Sequence, residues 1–239
     1  MILAGGLGTR LRPLTYSIPK PMLRIDKKPL LQYQLELLRK YGLKECAINL
    51  YHLPEKIKGY FGDGSIFGVR IKYLIEKELS GTASPLKKLE KYFKKETFVI
   101  IYGDNLTNID LKDLISYHEK KGGIITIALY YEKHPESKGI VQIDGENRIL
   151  SFKEKPNKEE ITTHWANTGI YVCEPEVLNF IPKNKFYDFG KDLFPRLIQS
   201  GLSLYSYKIK DYLLDIGTPE TYQKAQKDIK KLRLFKKRK

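Results

Sequence analysis

The sequence predicts an α/β fold with a mixed, largely parallel sheet and helices on both faces. Three observations predict it. Strand-like apolar runs alternate with helical repeats up to about residue 122, closely spaced strands with short turns follow, and a glycine-rich turn comes directly after the first apolar stub. At 239 residues the chain can bury a substantial core.

The stub is Ile2, Leu3 and Ala4, and Gly5, Gly6 and Gly8 follow it. Glycines there let main-chain amides come close to something bulky. Arg10, Arg12 and Lys20 come soon after and suggest that this something is anionic, with phosphate the obvious candidate. Two familiar phosphate loops do not fit. No Gly-Lys-Ser/Thr occurs, and Pro13 and Pro19 stop the helix that a dinucleotide fingerprint would need.

Next come strand-like segments at 45–51, 68–75 and 97–104, rich in Ile, Val, Tyr and Phe. Between and after them, Leu31, Leu35 and Leu38, then Leu86, Leu89 and Phe93, then Leu111, Leu114, Ile115 and His118 recur at helical spacing. Asp110 is a plausible N-cap for the last set. Such alternation implies βαβ units and a Rossmann-like parallel sheet. Beyond 122, the runs 123–131, 139–144, 148–154 and 165–173 read as strands joined by turns such as Asp144-Gly145. They predict an antiparallel extension. A helix at about 188–200, a strand at 202–208 and a helix from Pro219 complete the pattern.

No internal repeat, low-complexity linker or clear boundary occurs. The chain therefore reads as one domain, 1–239, with two functional halves at about 1–105 and 106–223 and a basic tail at 224–239.

The net charge of +15 raises the question of nucleic acid. The last sixteen residues hold nine Lys/Arg and one Asp, so they supply +8 and leave +7, modest for a protein that handles triphosphates. No aromatic interleaving marks a base-stacking surface, so no nucleic-acid partner is expected, and the tail reads as a solvated helix end. No run approaches a membrane span and no signal-peptide pattern opens the chain, which predicts a cytoplasmic protein. Cys46 and Cys173 sit in apolar runs and read as buried thiols. His52, His118, His134 and His164 are scattered without metal-ligand spacing.

In open α/β sheets ligands gather beyond the carboxyl ends of the strands. The glycine turn lies at such an end, and so does "YGDN" at 102–105. "LLDIGTP" at 213–219 repeats the pattern, an apolar run ending in Asp215. Asp104 and Asp215 could together hold a Mg²⁺ that bridges phosphates, since that ion prefers a few carboxylates plus phosphate oxygens.

With these residues in view, "LAGGLGTRLRPLT…PKPML" resembles the signature of the sugar-nucleotide pyrophosphorylases, nucleotidyltransferases that join an NTP to a sugar 1-phosphate. "GTA" (81–83), "YGDN", "FKEKP" (152–156), "NTGIYV" (167–172) and "LDIGTPETY" (214–222) match further motifs in order, over nearly the full length. The resemblance implies a GT-A-like nucleotidyltransferase fold with an antiparallel, sugar-side extension, and a chain without the C-terminal β-helix of many relatives. It implies that Leu3, Ala4, Gly5 and Gly6 line the nucleotide, that Gly8, Thr9 and Arg10 wrap the triphosphate, and that Lys20 sits on the phosphates near the reacting centre. Gly81 and Thr82 also fall to the nucleotide, Asp104 and Asp215 to Mg²⁺, and Gly139, Glu154, Lys155 and Asn167 to the sugar phosphate.

The same resemblance directs attention to Glu76, five residues before Gly81, where uridylyl- and thymidylyltransferases of the family usually carry Gln. An ionised carboxylate only accepts hydrogen bonds, so it suits the adjacent N1–H and N2 amine of guanine. GTP with mannose 1-phosphate is therefore the expected substrate pair, in the character of the mannose-1-phosphate guanylyltransferases. Alternatives are a uridylyl- or thymidylyltransferase acting on glucose 1-phosphate, a guanylyltransferase acting on heptose 1-phosphate, and an inactive regulatory subunit. A homo-oligomer is compatible with all of them. Two departures from the family pattern, Leu79-Ser80 and Lys138, touch substrate surfaces rather than the metal carboxylates.

Overall fold

The stub Ile2–Leu3 is flanked on both sides by parallel strands. It pairs with Glu45–Leu50 through Ile2↔Ile48 and with Phe98–Tyr102 through Ile2↔Ile101. Arg70–Ile75 extends the group in parallel beside Glu45–Leu50. Two residues suffice for a strand here because both edges are taken and Ile2 is fully buried. The computed structural model describes residues 1–232. The end of the basic tail, 233–239, lies outside the described residues.

The chain forms two units that are not continuous in sequence. The first comprises Met1–Leu79, Ile101–Asp110 and the segment from Asp211 onward. Its helix Leu30–Lys40 buries Leu31, Leu35 and Leu38, the apolar stripe predicted from spacing, and Leu30 and Leu37 as well. The late helix Pro219–Leu232 belongs to this unit because Ile216 and Ala225 pack into one cluster with Ile25, Leu30, Tyr33 and Leu106. Tyr222 Oη donates to the Arg24 carbonyl at 2.8 Å, and the Asp26 N–H donates to Gln226 Oε1 at 2.8 Å.

The second unit comprises Ser80–Ile100 and Leu111–Lys210. Here Ile125–Tyr131 pairs antiparallel with Trp165–Cys173 and parallel with Leu204–Lys208, while Gly139–Ile143 and Ile149–Glu154 form an antiparallel pair. Tyr171, Phe189 and Phe194 are fully buried and meet with ring centroids 5.0–5.5 Å apart. The α/β fold with a mixed sheet predicted from the sequence is the fold that forms.

Two expected helices are interrupted. The 86–93 repeat is split into Ser84–Lys88 and Glu90–Phe93, yet Leu86, Leu89 and Phe93 stay buried. The 188–200 helix begins as a π-helical turn, Phe189–Leu193, before Phe194–Gln199. Pro195 has no N–H to donate one turn back, which favours a widened turn ahead of it. Cys46 and Cys173 are buried free thiols, as expected, and burial pushes Cys46 up to about 11. No helix among the described residues is long and apolar enough to cross a membrane.

Candidate active site

In the first unit the glycine turn is shaped by close neighbours. A Cβ on Gly5 would stand 2.8 Å from Asn49 Nδ2 and 3.2 Å from Glu76 Oε2, so bare backbone is required there. Gly8 has φ +64°, and its carbonyl accepts a 2.8 Å hydrogen bond from Thr15 Oγ1. Gly6, by contrast, is exposed, with no described atom within 4 Å of an added Cβ. The turn is thus braced at Gly5 and Gly8 and open at Gly6. Thr9 and Arg10 beside it are exposed.

Asn49 links the turn to Glu76. Its Oδ1 accepts the Ala4 N–H at 3.0 Å and its Nδ2 donates to Glu76 Oε2 at 2.7 Å. Glu76 is 5% exposed, which rules out a freely solvated strand-end charge. The sequence reading missed Asn49, although a polar residue near the end of the apolar run "ECAINLY" was a usable signal.

Two sets of charged groups lie near the turn, Lys20 with Asp104 and Arg10 with Asp215. Lys20 Nζ lies 2.7 Å from Asp104 Oδ2, with side chains 12% and 28% exposed. Leu213–Asp215 pairs antiparallel with Asn105–Thr107, setting Asp215 opposite Asn105, and the Ile216 N–H donates to the Asp104 carbonyl at 2.9 Å. The point where a Cβ on Gly217 would sit is 2.9 Å from the Arg10 guanidinium and 3.3 Å from Asp215 Oδ1. Arg12 turns elsewhere, its guanidinium 5.0 Å from the centre of the Tyr16 ring.

The "YGDN" turn is fixed from below. Gly103 donates to the Leu3 carbonyl at 2.7 Å, and a Cβ on it would stand 2.7 Å from that same oxygen. Gln34, 1% exposed, donates from Nε2 to the carbonyls of Tyr102 and Asn105 at 2.9 and 3.0 Å. Gln34 too was missed, for its helix pattern gave no hint of a distant partner.

Among the described residues no group of three or more His, Cys, Asp and Glu could cage a metal. Asp215 pairs opposite Asn105, next to Asp104, so two carboxylates stand at neighbouring backbone positions, the donor type and number suited to Mg²⁺, which fills its remaining positions with phosphate oxygens and water.

The second unit holds the remaining predicted residues. Gly81 has φ +91° and its Cα faces the Tyr187 carbonyl so closely that a side chain would clash with backbone. Thr82 Oγ1 accepts the Phe189 N–H at 2.9 Å. Glu154 is paired directly opposite Gly139. Burial raises its pKa above the ordinary carboxylate value, Asp188 adds to the effect, and Lys155, Lys191 and Lys138 oppose it. Lys155 is exposed and held at φ +49°, a left-handed conformation rare for a residue with a side chain. Asn167 sits at a register shift in its strand, where Oδ1 accepts the Gly169 N–H and Nδ2 donates to Tyr171 Oη, both at 2.9 Å. The predicted nucleotide set is therefore divided, with Gly81 and Thr82 in the second unit and the rest in the first.

A paired Lys–Asp, with an Arg and a second Asp close by, stands near an open glycine turn in an α/β fold, an arrangement of cations and free amides that suits an anionic ligand. Residues 1–231 match the Nucleotidyl transferase family, and the chain belongs to it. It is 42% identical over 238 residues to a UTP–glucose-1-phosphate uridylyltransferase of Synechocystis sp., covering 94% of this chain and 61% of the relative. It is 33% identical over 230 residues to a mannose-1-phosphate guanylyltransferase of Mycobacterium tuberculosis, covering 96% and 64%. The chain thus spans about three fifths of the length of these relatives. The solved structure of HddC from Yersinia pseudotuberculosis complexed with GMP-PN superposes with a TM-score of 0.79 at 28% identity, covering 95% of this chain and 97% of that one. A UDP-glucose pyrophosphorylase complexed with UDP-glucose gives 0.82 at 25%, covering 97% and 98%.

Proposed function

We propose that the chain transfers a nucleotidyl group from an NTP to a sugar 1-phosphate. The observation that carries this reading is the first unit's constellation of Lys20, Asp104, Arg10 and Asp215 beside the open glycine turn. An oxygen of the sugar phosphate attacks the α-phosphorus, the bond from that phosphorus to the β-bridging oxygen breaks, and pyrophosphate leaves. The attacking oxygen is already anionic, so no side chain needs to take a proton. Positioning and charge neutralisation carry the rate.

In this reading Leu3, Ala4, Gly5 and Gly6 line the nucleotide, with Gly81 and Thr82 assigned to the same ligand. Gly8, Thr9 and Arg10 receive the triphosphate, and Lys20 leaves Asp104 for the phosphates. Asp104 and Asp215 would hold Mg²⁺, which when bound shares the phosphate charge. Glu154 accepts hydrogen bonds from sugar hydroxyls, Lys155 pairs with the sugar phosphate, and Gly139 and Asn167 line the acceptor.

For base and sugar, the 42% identity to a protein named as acting on UTP and glucose 1-phosphate favours uridylyl transfer to that sugar. The expectation of GTP and mannose 1-phosphate becomes a second reading, supported by the buried Glu76 carboxylate and by the guanylyltransferase relatives. Pyrophosphate release from each of four NTPs against glucose, mannose and heptose 1-phosphates, with Mg²⁺, separates the two readings. Silence across the panel would overturn both.

A further inference from the structure

Glu154 has a setting that the sequence did not disclose. Its carboxylate is half-buried, and among the described residues it takes part in no hydrogen bond. Two glycines wall it in. A Cβ on Gly190 would stand 2.7 Å from Glu154 Oε2 and 2.9 Å from Phe152 Cε1, and a Cβ on Gly139 would stand 2.8 Å from the same oxygen. Gly139 was expected on the sugar side; Gly190 was not.

Gly190 is not among the residues with positive φ, so its backbone would accept a side chain. What it supplies is space. It lies in the π-helical turn Phe189–Leu193, which is anchored on either side of it. The Phe189 N–H donates to Thr82 Oγ1 at 2.9 Å, and the Asp188 N–H donates to Asp192 Oδ2 at 2.7 Å. With the turn so held, the bare Cα of Gly190 limits where the carboxylate can stand.

We infer that Gly190 is a positioning residue for the sugar 1-phosphate, acting through the Glu154 carboxylate. The inference rests on reading Glu154 as a sugar contact. An alanine at 190 must displace a neighbour, and the flexible end of Glu154 yields more easily than the Phe152 ring, which is 8% exposed and packs 4.9 Å from Phe194. The fold should persist while the carboxylate moves away from the hydroxyls it meets.

The test is a double-mutant cycle on the full chain with Gly190→Ala and Glu154→Ala, using whichever of glucose and mannose 1-phosphate the NTP panel shows to be turned over. Gly190→Ala is expected to raise the acceptor KM roughly tenfold while the NTP KM stays within about twofold, since misplacing a contact by an ångström costs up to about a hundredfold. In the Glu154→Ala background the same change should add nothing, because the group it acts through is gone. A Gly190→Ala variant with a normal acceptor KM, beside a Glu154→Ala variant with a raised one, overturns the inference alone. So does an effect of Gly190→Ala that persists undiminished in the Glu154→Ala background. A normal acceptor KM in Glu154→Ala overturns the sugar-side reading of Glu154 and the inference with it.

Discussion

Lys20 and Asp104 form an ion pair whose loss should affect stability and turnover in separable ways. The pair is 2.7 Å long with side chains 12% and 28% exposed, between the surface and buried extremes. Exposed pairs contribute about 0–1 kcal/mol, and breaking a fully buried pair costs about 3–5 kcal/mol. Asp104→Asn or Lys20→Met should therefore destabilise the free protein by about 1–3 kcal/mol, a fall in Tm of roughly 2–12 °C for a chain of this size. Combining the two changes removes both charges and should restore most of that loss, since no unpaired ion is left behind.

Turnover should not recover. If Lys20 moves onto the triphosphate and Asp104 onto Mg²⁺ during the reaction, each single change should lower kcat by about 10²–10³, the usual effect of losing one preorganised charged contact. The double variant should stay at least as low. Thermal unfolding without ligands and pyrophosphate release with saturating NTP, acceptor and Mg²⁺ give the two readouts. A double variant that regains turnover with stability would show that the pair only holds the fold. Single variants that keep more than about a tenth of wild-type kcat would refute the assignment of both residues.

Three further outcomes are expected. Arg10→Ala should lower kcat by about 10²–10³, whereas Arg12→Ala, whose cation rests on the Tyr16 ring, should cost less than about tenfold; equal losses in steady-state kinetics would contradict the difference in placement. Glu76→Gln should shift the kcat/KM ratio of UTP to GTP upward by about 10–100-fold if the carboxylate reads the base, and an unchanged ratio would remove it from base selection. Because burial raises the Glu154 pKa, the carboxylate protonates at higher pH than an ordinary glutamate, so acceptor KM should climb as pH falls through that raised range. Glu154→Gln should show a raised KM without this component, which also separates it from the acceptor phosphate's own titration near about pH 6. The same shift means that any stability this group contributes is present below its unfolded pKa and lost as pH rises through the folded one. An acid limb of equal size in Glu154→Gln would assign it elsewhere.

The residues legible in the sequence were those whose chemistry is local. A glycine turn after a strand, Asp104 at the end of one apolar run and Asp215 at the end of another each sit within a few residues of the feature that gives them meaning. The strand-to-helix alternation was likewise legible, because periods of two and 3.6 are properties of short windows. Asn49 was not, since its role comes from Ala4 and Glu76, 45 and 27 residues away. Gln34 reaches carbonyls 68 and 71 residues on, and the setting of Gly190 comes from Glu154 and Phe152, which belong to the strand Ile149–Glu154. The π-helical turn was missed for a different reason. Apolar spacing at 189, 193, 194 and 197 suits an α-helix or a widened turn equally, and only Pro195 hinted at the difference.

The histidines bear on the chemistry through how their ring protons are placed. His52 Nε2 lies 2.8 Å from the Thr15 carbonyl, so that nitrogen carries the proton and donates. Thr15 in turn donates to the Gly8 carbonyl, so His52 braces the glycine turn through Thr15. His164 Nδ1 likewise donates to the Glu132 carbonyl at 2.9 Å. His118 is 1% exposed, with both ring nitrogens engaged, Nδ1 by Thr126 at 2.8 Å and Nε2 by Glu174 at 2.9 Å. A general base needs a nitrogen that can reach a substrate proton, and His118 has both of its nitrogens committed to the fold. The proposed acceptor is anionic and needs no deprotonation, so the reaction asks no base of His118. The pH dependence of the proposed reaction should then follow the acceptor phosphate and Glu154, and replacing His52 or His118 should change stability rather than the position of the acid limb.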